Sequence, residues 1–284
     1  MKYFFIALLL SATLAASVEV EVWQGYRRDK LTFTISGPRG RPNILSELSY
    51  KDIDVYMTNL SMKVSHNDYF MKLHGAYGDI YNGKVRDSDY LGDNRTLEFS
   101  RSKHDITGDY TVDTSVYFGK TYRQKSLRIS PMIGFGYYEQ KLRMQHGEQQ
   151  LPLNRKVHNV NSTYQTHWYG PQIGFGLAKK LLQNLNVYGN YVFLYPLTYH
   201  ANGYWNLRDK HFSDKAKAQK SSGNIVTIGT KYTAYKSLHA GIEYQFMKFY
   251  AKDGHCYQNG HRTNLFREAI RTSNTVYLFL GYTF

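Results

Sequence analysis

Hydrophobic and polar residues alternate along much of the chain, and the last ten residues show this pattern most clearly. The side chains of a β-strand point to opposite faces in turn. Segment 275–284 therefore places its apolar residues on one face and ends on an aromatic side chain: Val276, Leu278, Leu280, Tyr282 and Phe284. An apolar face of this kind is typical of a strand in lipid with an aromatic residue at the interface. The pattern predicts a transmembrane β-strand.

Four further stretches alternate in the same way: 69–77, 110–120, 187–195 and 238–250. In each stretch the face opposite the apolar one is polar or charged. An apolar outer face with a polar interior is typical of a membrane barrel and is the reverse of a soluble one. The residues predicted to line the interior include Lys72, His74, Asp113, His239, Glu243 and Gln245.

The connections between these stretches alternate in length. Short turn candidates are 65–68, 123–125, 179–184 and 235–237, and long polar connections are 37–42, 84–104, 145–160, 207–218 and 252–270. The intervening strands number about ten, and many are longer than the ~9–11 residues that cross a bilayer. We therefore predict an all-β fold, a transmembrane antiparallel up-and-down β-barrel. Its termini would be periplasmic, and its long loops and protruding strand ends extracellular.

The N-terminus predicts export. Lys2 precedes an apolar run over 3–10 and small residues up to Ser17, which is typical of a cleaved signal peptide over 1–17. The run is too short for a spanning helix, and the mean hydropathy of −0.53 is too low for a helical membrane protein. No linker divides the remaining chain, so we predict one barrel domain over 18–284 in the bacterial outer membrane.

Composition narrows the possible partners. Aromatic residues form 16% of the chain and include 27 Tyr, as expected for interfacial girdles. The net charge of +14 would suggest nucleic acid in a cytosolic protein, but export removes that interpretation. The positive charge lies mainly in the long connections. It predicts either contact with outer-membrane lipid, lipopolysaccharide being the candidate, or a solvated loop face.

Cysteine and histidine point to no cofactor or metal. Cys256 is the only cysteine, so an internal disulfide is excluded, and we expect it to be a free thiol in a loop. The 11 His are scattered, with no ligand cluster of typical spacing. The closest approach to one is His255 beside Cys256, with His261 nearby.

Two short motifs resemble the omptins, outer-membrane endopeptidases built as ten-stranded barrels that rise above the membrane. Segment 45–51, Leu-Ser-Glu-Leu-Ser-Tyr-Lys, resembles an early strand motif of that family, and segment 86–90 resembles its Asp-x-Asp pair followed by an aromatic. The resemblance covers essentially the whole mature chain in length and strand count. It implies catalytic carboxylates at Asp87 and Asp89, which lie two residues apart and so share a strand face.

The second half of the implied catalytic site is displaced. Omptin chemistry pairs the two carboxylates with an Asp-x-His on the opposite wall, where the His activates a water molecule. An ungapped alignment places Gly203 and Trp205 at those positions, and an Asp-x-His occurs six residues later as Asp209 and His211. The implied catalytic set is thus Asp87, Asp89, Asp209 and His211. Ordinary loop residues would give the same motifs.

A third resemblance concerns lipid. Tyr137, Glu139 and Lys141 match a Tyr-x-Glu-x-Arg strip by which omptins resemble barrels that hold lipopolysaccharide, with Lys in place of Arg. At alternate positions on one outward face, they would present a hydroxyl, an acceptor and a cation to a phosphorylated sugar. An interfacial Tyr beside an exposed ion pair would show the same pattern.

Two function classes follow from these patterns. The first is a non-enzymatic outer-membrane barrel, acting as a small-solute channel, an adhesin or an envelope-structural protein. The second is an omptin-type surface endopeptidase. The displaced Asp-His and the basic character of the exterior loops favour the first class, since omptins favour basic substrates through acidic grooves.

Overall fold

The computed structural model describes residues 16–284, so the predicted signal peptide lies almost wholly outside the described part of the chain. Seventeen strand segments follow one another there. They are β1 (Ser17–Ser36), β2 (Ser46–His66), β3 (Tyr69–Tyr90), β4 (Glu98–Ile106), β5 (Tyr110–Lys120), β6 (Tyr122–Gln124), β7 (Leu127–Leu151), β8 (Arg155–Val157), β9 (Ser162–Leu182), β10 (Leu185–Leu194), β11 (Thr198–Trp205), β12 (Lys210–Ala216), β13 (Ser222–Tyr235), β14 (Leu238–Lys252), β15 (Gly254–Gln258), β16 (His261–Arg262) and β17 (Leu265–Thr283).

All seventeen segments belong to one antiparallel sheet that closes on itself. The last long strand, β17, pairs with β1 from Glu19 opposite Thr283 to Ser36 opposite Leu265. Closure leaves no free edge, which is the condition for a sheet to lie in lipid. Among the residues that the structure describes, no helix is long and apolar enough to cross a membrane. The predicted fold class is confirmed.

The segments outnumber the ten strands expected because several barrel strands are interrupted. For example, β4 and β5 lie end to end between the same neighbours, β3 and β7, and β10 and β11 both pair with β9. The closed ladder therefore has ten successive positions. Four predicted short turns lie at one end, where β2 meets β3, β6 meets β7, β9 meets β10 and β13 meets β14.

An apolar belt surrounds the barrel near this short-turn end. On β17 it runs from Val276 to Phe284, and Leu278 and Leu280 each leave 64% of their surface exposed on the outer face. Tyrosines border the belt on both sides. Those towards the short turns are Tyr69, Tyr122, Tyr232, Tyr235 and Tyr282, and those towards the long loops are Tyr26, Tyr56, Tyr77, Tyr81, Tyr110, Tyr137, Tyr169 and Tyr244. This arrangement is the girdle pattern of an outer-membrane barrel.

The strands continue far beyond the belt and form a collar, by which we mean their portions on the long-loop side of the girdle. β7 has 25 residues and β3 has 22, about twice what a bilayer requires. The prediction of long protruding strands is confirmed. Much of what the sequence indicated as long loops is strand: β4 overlaps the connection predicted over 84–104, and β12 and β15 lie within those predicted over 207–218 and 252–270. The collar's outer face meets water, so polar residues there obscure the alternation.

Candidate functional site

The barrel interior is divided by a layer of buried charge, here called the charge layer: Arg27, Asp29, Asp113, Gln140 and Arg271. Arg27 pairs with Asp113, and Arg271 Nη2 lies 3.1 Å from Asp29 Oδ2. Gln140 Nε2 donates to the same Asp29 oxygen at 2.7 Å. Each of the five side chains is at most 2% exposed. Buried charges are stable only when paired, and this network joins β1, β5, β7 and β17 across the lumen.

The charge layer retains hydrogen-bonding capacity. Arg27 Nη1, Asp29 Oδ1, Asp113 Oδ1, Gln140 Oε1, Arg271 Nε and Arg271 Nη1 are buried and find no hydrogen-bond partner among the described residues. Buried polar atoms are normally satisfied by protein or by ordered water. The layer is therefore polar enough to hold water between its side chains.

A chamber of about 780 Å³ lies between the charge layer and the short-turn end. All six polar residues that the alternation predicted for the interior line it: Lys72, His74, Asp113, His239, Glu243 and Gln245. The chamber is also lined by residues of the turns, including Asn67 and Ser237, so it opens at the short-turn end.

Three potential metal ligands meet in this chamber. Ligand atoms of Glu19, Glu21 and His239 all lie within 4.8 Å of one another. Glu21 on β1 and His239 on β14 approach across β17 because Gly281 lies between them; a Cβ there would be 2.3 Å from His239 Nε2. The Lys231 ammonium is 2.6 Å from Glu21 and 3.0 Å from Glu19, so the cluster carries its own counter-charge.

The collar interior is filled by an aromatic core: Phe33, Tyr50, Tyr164, Tyr199, Phe212 and Phe266. The ring centroids of Phe33 and Tyr164 are 4.4 Å apart, and those of Tyr199 and Phe266 are 5.2 Å apart. The Tyr164 and Tyr199 hydroxyls are 2.7 Å from each other. This packing closes the lumen a second time, on the long-loop side of the charge layer.

A carboxylate is buried in this aromatic core. Asp214 on β12 is 1% exposed and accepts a hydrogen bond of 3.2 Å from the Tyr164 hydroxyl. Burial raises its pKa to about 6, although hydrogen bonds from Cys256 and Tyr164 oppose the shift. Cys256 is a free thiol as expected, but it is buried in β15 and does not lie in a loop. Burial and the nearby Asp214 charge raise the Cys256 pKa as well.

The structure brings Asp87 and Asp89 together at the mouth of the collar. Both lie near the end of β3, and Asp87 faces inward because its register partner is the buried Leu48. Burial and the Asp89 charge raise the pKa of Asp87 to about 7, partly offset by the positive charge of Arg208. The two carboxylates thus share a wall of the mouth, as their spacing predicted.

Asp209 and His211 lie elsewhere. Asp209 is exposed in a turn with φ +46° and accepts a hydrogen bond of 3.1 Å from the Tyr204 hydroxyl. His211 is exposed on β12 and its ring stacks on Tyr204 with centroids 4.5 Å apart. Its neighbour Phe212 faces the core, so His211 points to the outer face, away from the side on which Asp87 lies.

The ungapped positions are equally unsuited to the implied chemistry. Gly203 pairs with Phe212, and a Cβ at Gly203 would lie only 1.9 Å from the Phe212 ring. Trp205 packs on the same ring at 4.8 Å. An aspartate at position 203 would therefore require the aromatic packing to move.

The lipid strip forms a connected network on the outer face, just beyond the girdle. Glu139 accepts hydrogen bonds from Tyr137 at 2.6 Å and Tyr110 at 2.8 Å, and also one from Gln165. Two residues further along β7, Lys141 is not bound to Glu139. It is 3.5 Å from Asp109, which also binds Arg143 at 3.0 Å. Two cations thus share one carboxylate at this height.

Sequence reasoning missed the charge layer except for Asp113, and it missed the chamber residues Glu19, Glu21 and Lys231. The available signal was parity along β1. Glu19, Glu21, Arg27 and Asp29 occupy the positions that alternate with outward-facing Val22 and Tyr26, as interior residues must. The partners on distant strands could not be identified, because register across the sheet sets which side chains meet.

A family model described as "Pom: Protochlamydia outer membrane protein" matches residues 21–284. The match covers nearly the whole barrel. The chain belongs to the Pom family. It is thus an outer-membrane protein, as its belt and girdles indicate. Among curated proteins, none matches the chain.

Among solved structures, one shares the architecture closely enough to support the fold, and a second is similar only in part. The outer membrane protease OmpT from Escherichia coli superposes with a TM-score of 0.80 at 12% identity, covering 96% of this chain and 99% of that one. Ail, the attachment invasion locus protein of Yersinia pestis, covers 95% of this chain and 100% of its own at 10% identity, but its TM-score is only 0.36. At 12% identity the OmpT likeness concerns the omptin-like fold and not the chemistry.

The buried carboxylates Asp87 and Asp214 should make the folded barrel less stable as the pH rises through the weakly acidic range. A carboxyl group whose folded pKa exceeds its unfolded pKa of about 4 binds more protons when folded, so stability falls as pH rises between the two values. With Asp214 near 6 and Asp87 near 7, the free energy of unfolding should fall between about pH 4 and 7. Asp214→Asn should remove on the order of 2–3 kcal/mol of this decline.

Denaturant unfolding of refolded protein at pH 4, 6 and 8 would measure the effect. The matched control is Asp105→Asn, which replaces an exposed carboxylate of β4. This variant should show the same decline in the free energy of unfolding with pH as wild type. If the free energy of unfolding falls equally with pH in wild type and in Asp214→Asn, the raised pKa of Asp214 is wrong.

Proposed function

We propose that this protein is a non-enzymatic outer-membrane barrel whose closed cylinder presents a basic collar at the cell surface, in an adhesive or envelope-structural role. The observation that carries the proposal is the double closure of the lumen by the charge layer and the aromatic core. Both occupy space that a substrate cleft or an open pore would need.

The orientation that we propose for the barrel in the membrane follows from the position of the apolar belt along it. The belt lies near the short-turn end, so the collar and long connections project on one side only. Export through the periplasm favours short turns and termini on the periplasmic side and long loops outside. The collar would then be extracellular, carrying cations such as Arg39, Arg41, Lys210 and Lys217, with anionic surface polymers and glycolipids as natural counterparts.

The mouth geometry argues against endopeptidase activity. A general base must reach the water that it activates, and His211 faces away from the side where Asp87 lies. The implied Asp position, Gly203, abuts Phe212. For the endopeptidase alternative, His211 would have to face the interior in place of Phe212. That exchange would require a one-residue shift in the register of β12.

Refolded protein should leave a quenched-peptide library uncleaved, and Asp89→Ala and His211→Ala should behave as wild type does. A refolded omptin serves as the positive control for the assay. Cleavage by wild type that either substitution abolishes would establish the endopeptidase in place of the surface barrel.

We further propose that the β7 strip contacts an outer-membrane glycolipid, with lipopolysaccharide as the candidate. Within residues 16–284, Asp109 is the one carboxylate within 4.0 Å of Lys141 or Arg143, so two cations share a single direct counter-charge. Glu139 is held by Tyr137, Tyr110 and Gln165 and would orient the tyrosines towards a sugar. The contact extends the Tyr137, Glu139 and Lys141 strip by Arg143.

Replacing Lys141 and Arg143 together by Ala should weaken binding of fluorescent lipid A to the detergent-solubilised barrel by about thirtyfold, since each of the two cations near an anionic lipid contributes about 1 kcal/mol. Arg28→Ala is the matched control, because Arg28 lies on the same outer face in a one-to-one pair with Asp54 at 2.9 Å. Equal loss in both variants, or no loss in either, would place the contact elsewhere.

A small-solute channel is the second candidate. The chamber already opens at the short-turn end, and the unsatisfied atoms of the charge layer suit a hydrated constriction. Conduction would require the aromatic core to open. The closed packing of that core is why we place the channel second.

A further inference from the structure

The two walls of the chamber differ in how their charges are balanced. On the wall formed by β1, β13 and β14, Glu19 and Glu21 both bind the Lys231 ammonium. On the same wall Glu243 accepts a hydrogen bond of 2.8 Å from the Tyr188 hydroxyl. Each of these carboxylates therefore has a protein partner.

The rest of the chamber wall, which begins at β2 beside β1 and continues over β3 and β7, carries cations without such partners. Lys63 on β2 and Lys72 on β3 are direct cross-strand neighbours, and both line the chamber. Arg128 on β7 lines it as well, and its guanidinium donates a hydrogen bond of 3.5 Å to the Asn186 side-chain oxygen. Within residues 16–284, none of these three cations lies within 4.0 Å of a carboxylate. Like charges directly opposite each other destabilise a sheet, so this pairing is unfavourable for folding alone.

Neighbouring carboxylates of the described residues act on this wall only from a distance, because none of them binds its cations directly. Glu19 is the register partner of Lys63 on β1, but its carboxylate binds Lys231 at 3.0 Å. The Lys63 ammonium instead lies 4.7 Å from the centroid of the Phe70 ring. A cation–π contact leaves the positive charge available to an anion. Among the described residues, the chamber lining has six Lys and Arg residues against five Asp and Glu residues, so its positive excess is one charge. The cations without a close carboxylate are concentrated at Lys63, Lys72 and Arg128, where low-dielectric surroundings strengthen their field.

We propose that the chamber binds a small phosphorylated solute that enters from the short-turn end. Lys63 and Lys72 hold one phosphate group between them, and Arg128 contacts a second charge on the same molecule. The volume of about 780 Å³ suits a small organic ligand. The pairing of Arg27 with Asp113 closes the far end, so the chamber retains its ligand and does not pass it on.

Titration calorimetry of the refolded full-length barrel with inorganic pyrophosphate tests the proposal. Wild type should bind saturably, with affinity that falls as salt increases. Lys63→Gln combined with Lys72→Gln should weaken binding by about a hundredfold or more, because two charge-assisted contacts to the phosphate group are lost. The matched control is Lys120→Gln, whose ammonium lies over the Tyr69 and Tyr122 rings at 5.1 and 5.2 Å on the outer face. This variant should bind as wild type does.

Circular dichroism and heat-modifiable migration in gels would verify that each variant is folded. If the double variant does not fold, Lys72→Gln alone replaces it and should still reduce the affinity measurably. Absence of saturable binding by folded wild type would overturn the proposal, as would equal binding by wild type and the lysine variants. Failure here leaves the surface-barrel function untouched, since that function depends on the collar.

Discussion

Closure of the hydrogen-bonded ladder between β1 and β17 is the constraint on which the rest of the structure depends. Every backbone N–H and C=O in lipid must find a partner within the sheet, and only a closed cylinder provides this. Closure also limits the arrangements that the inward-facing side chains can adopt. Inward side chains must either enclose a cavity or fill the lumen, and this barrel does both: a chamber near the short turns, then the charge layer and the aromatic core.

The predictable part of this fold is the part that lipid dictates. Alternation in 275–284 and 238–250 predicted outward-facing Leu278, Leu280 and Ile242, because hydrocarbon accepts only apolar side chains there. The same parity placed His239 and Glu243 in the chamber. Beyond the girdle both faces are free of lipid, so β4, β12 and β15 have no such signature and were predicted as loops.

The candidate site residues also divide into those whose positions the sequence predicts and those whose positions it does not. Asp87 and Asp89 were predicted to act as a pair, and their two-residue spacing is enough to place them on one face. The position of His211 relative to them depends on the register of β11 and β12, which no local pattern fixes. The charge layer pairs residues that are far apart in the sequence, Arg27 with Asp113 and Asp29 with Arg271. Alternation along each strand could indicate that these residues face the interior, but it could not indicate which of them pair.

The fold is shared with OmpT, but the residues that the omptin resemblance implies for catalysis do not meet in this structure. Phe212 packs against both Tyr164 and Trp205, and Trp205 occupies a position that the resemblance assigns to the opposing pair. Buried aromatic contacts of this kind stabilise the collar and fill part of its interior. The acidic pair at the mouth then faces Arg208 rather than a histidine.

Single-channel recording in planar bilayers would show whether the lumen is sealed in the native barrel. We expect refolded wild-type protein to insert without unitary conductance steps. We expect a variant with Arg27 and Asp113 both replaced by Ala to stay silent as well, because the aromatic core still closes the collar. Reproducible conductance steps from the wild-type protein would contradict the sealed lumen.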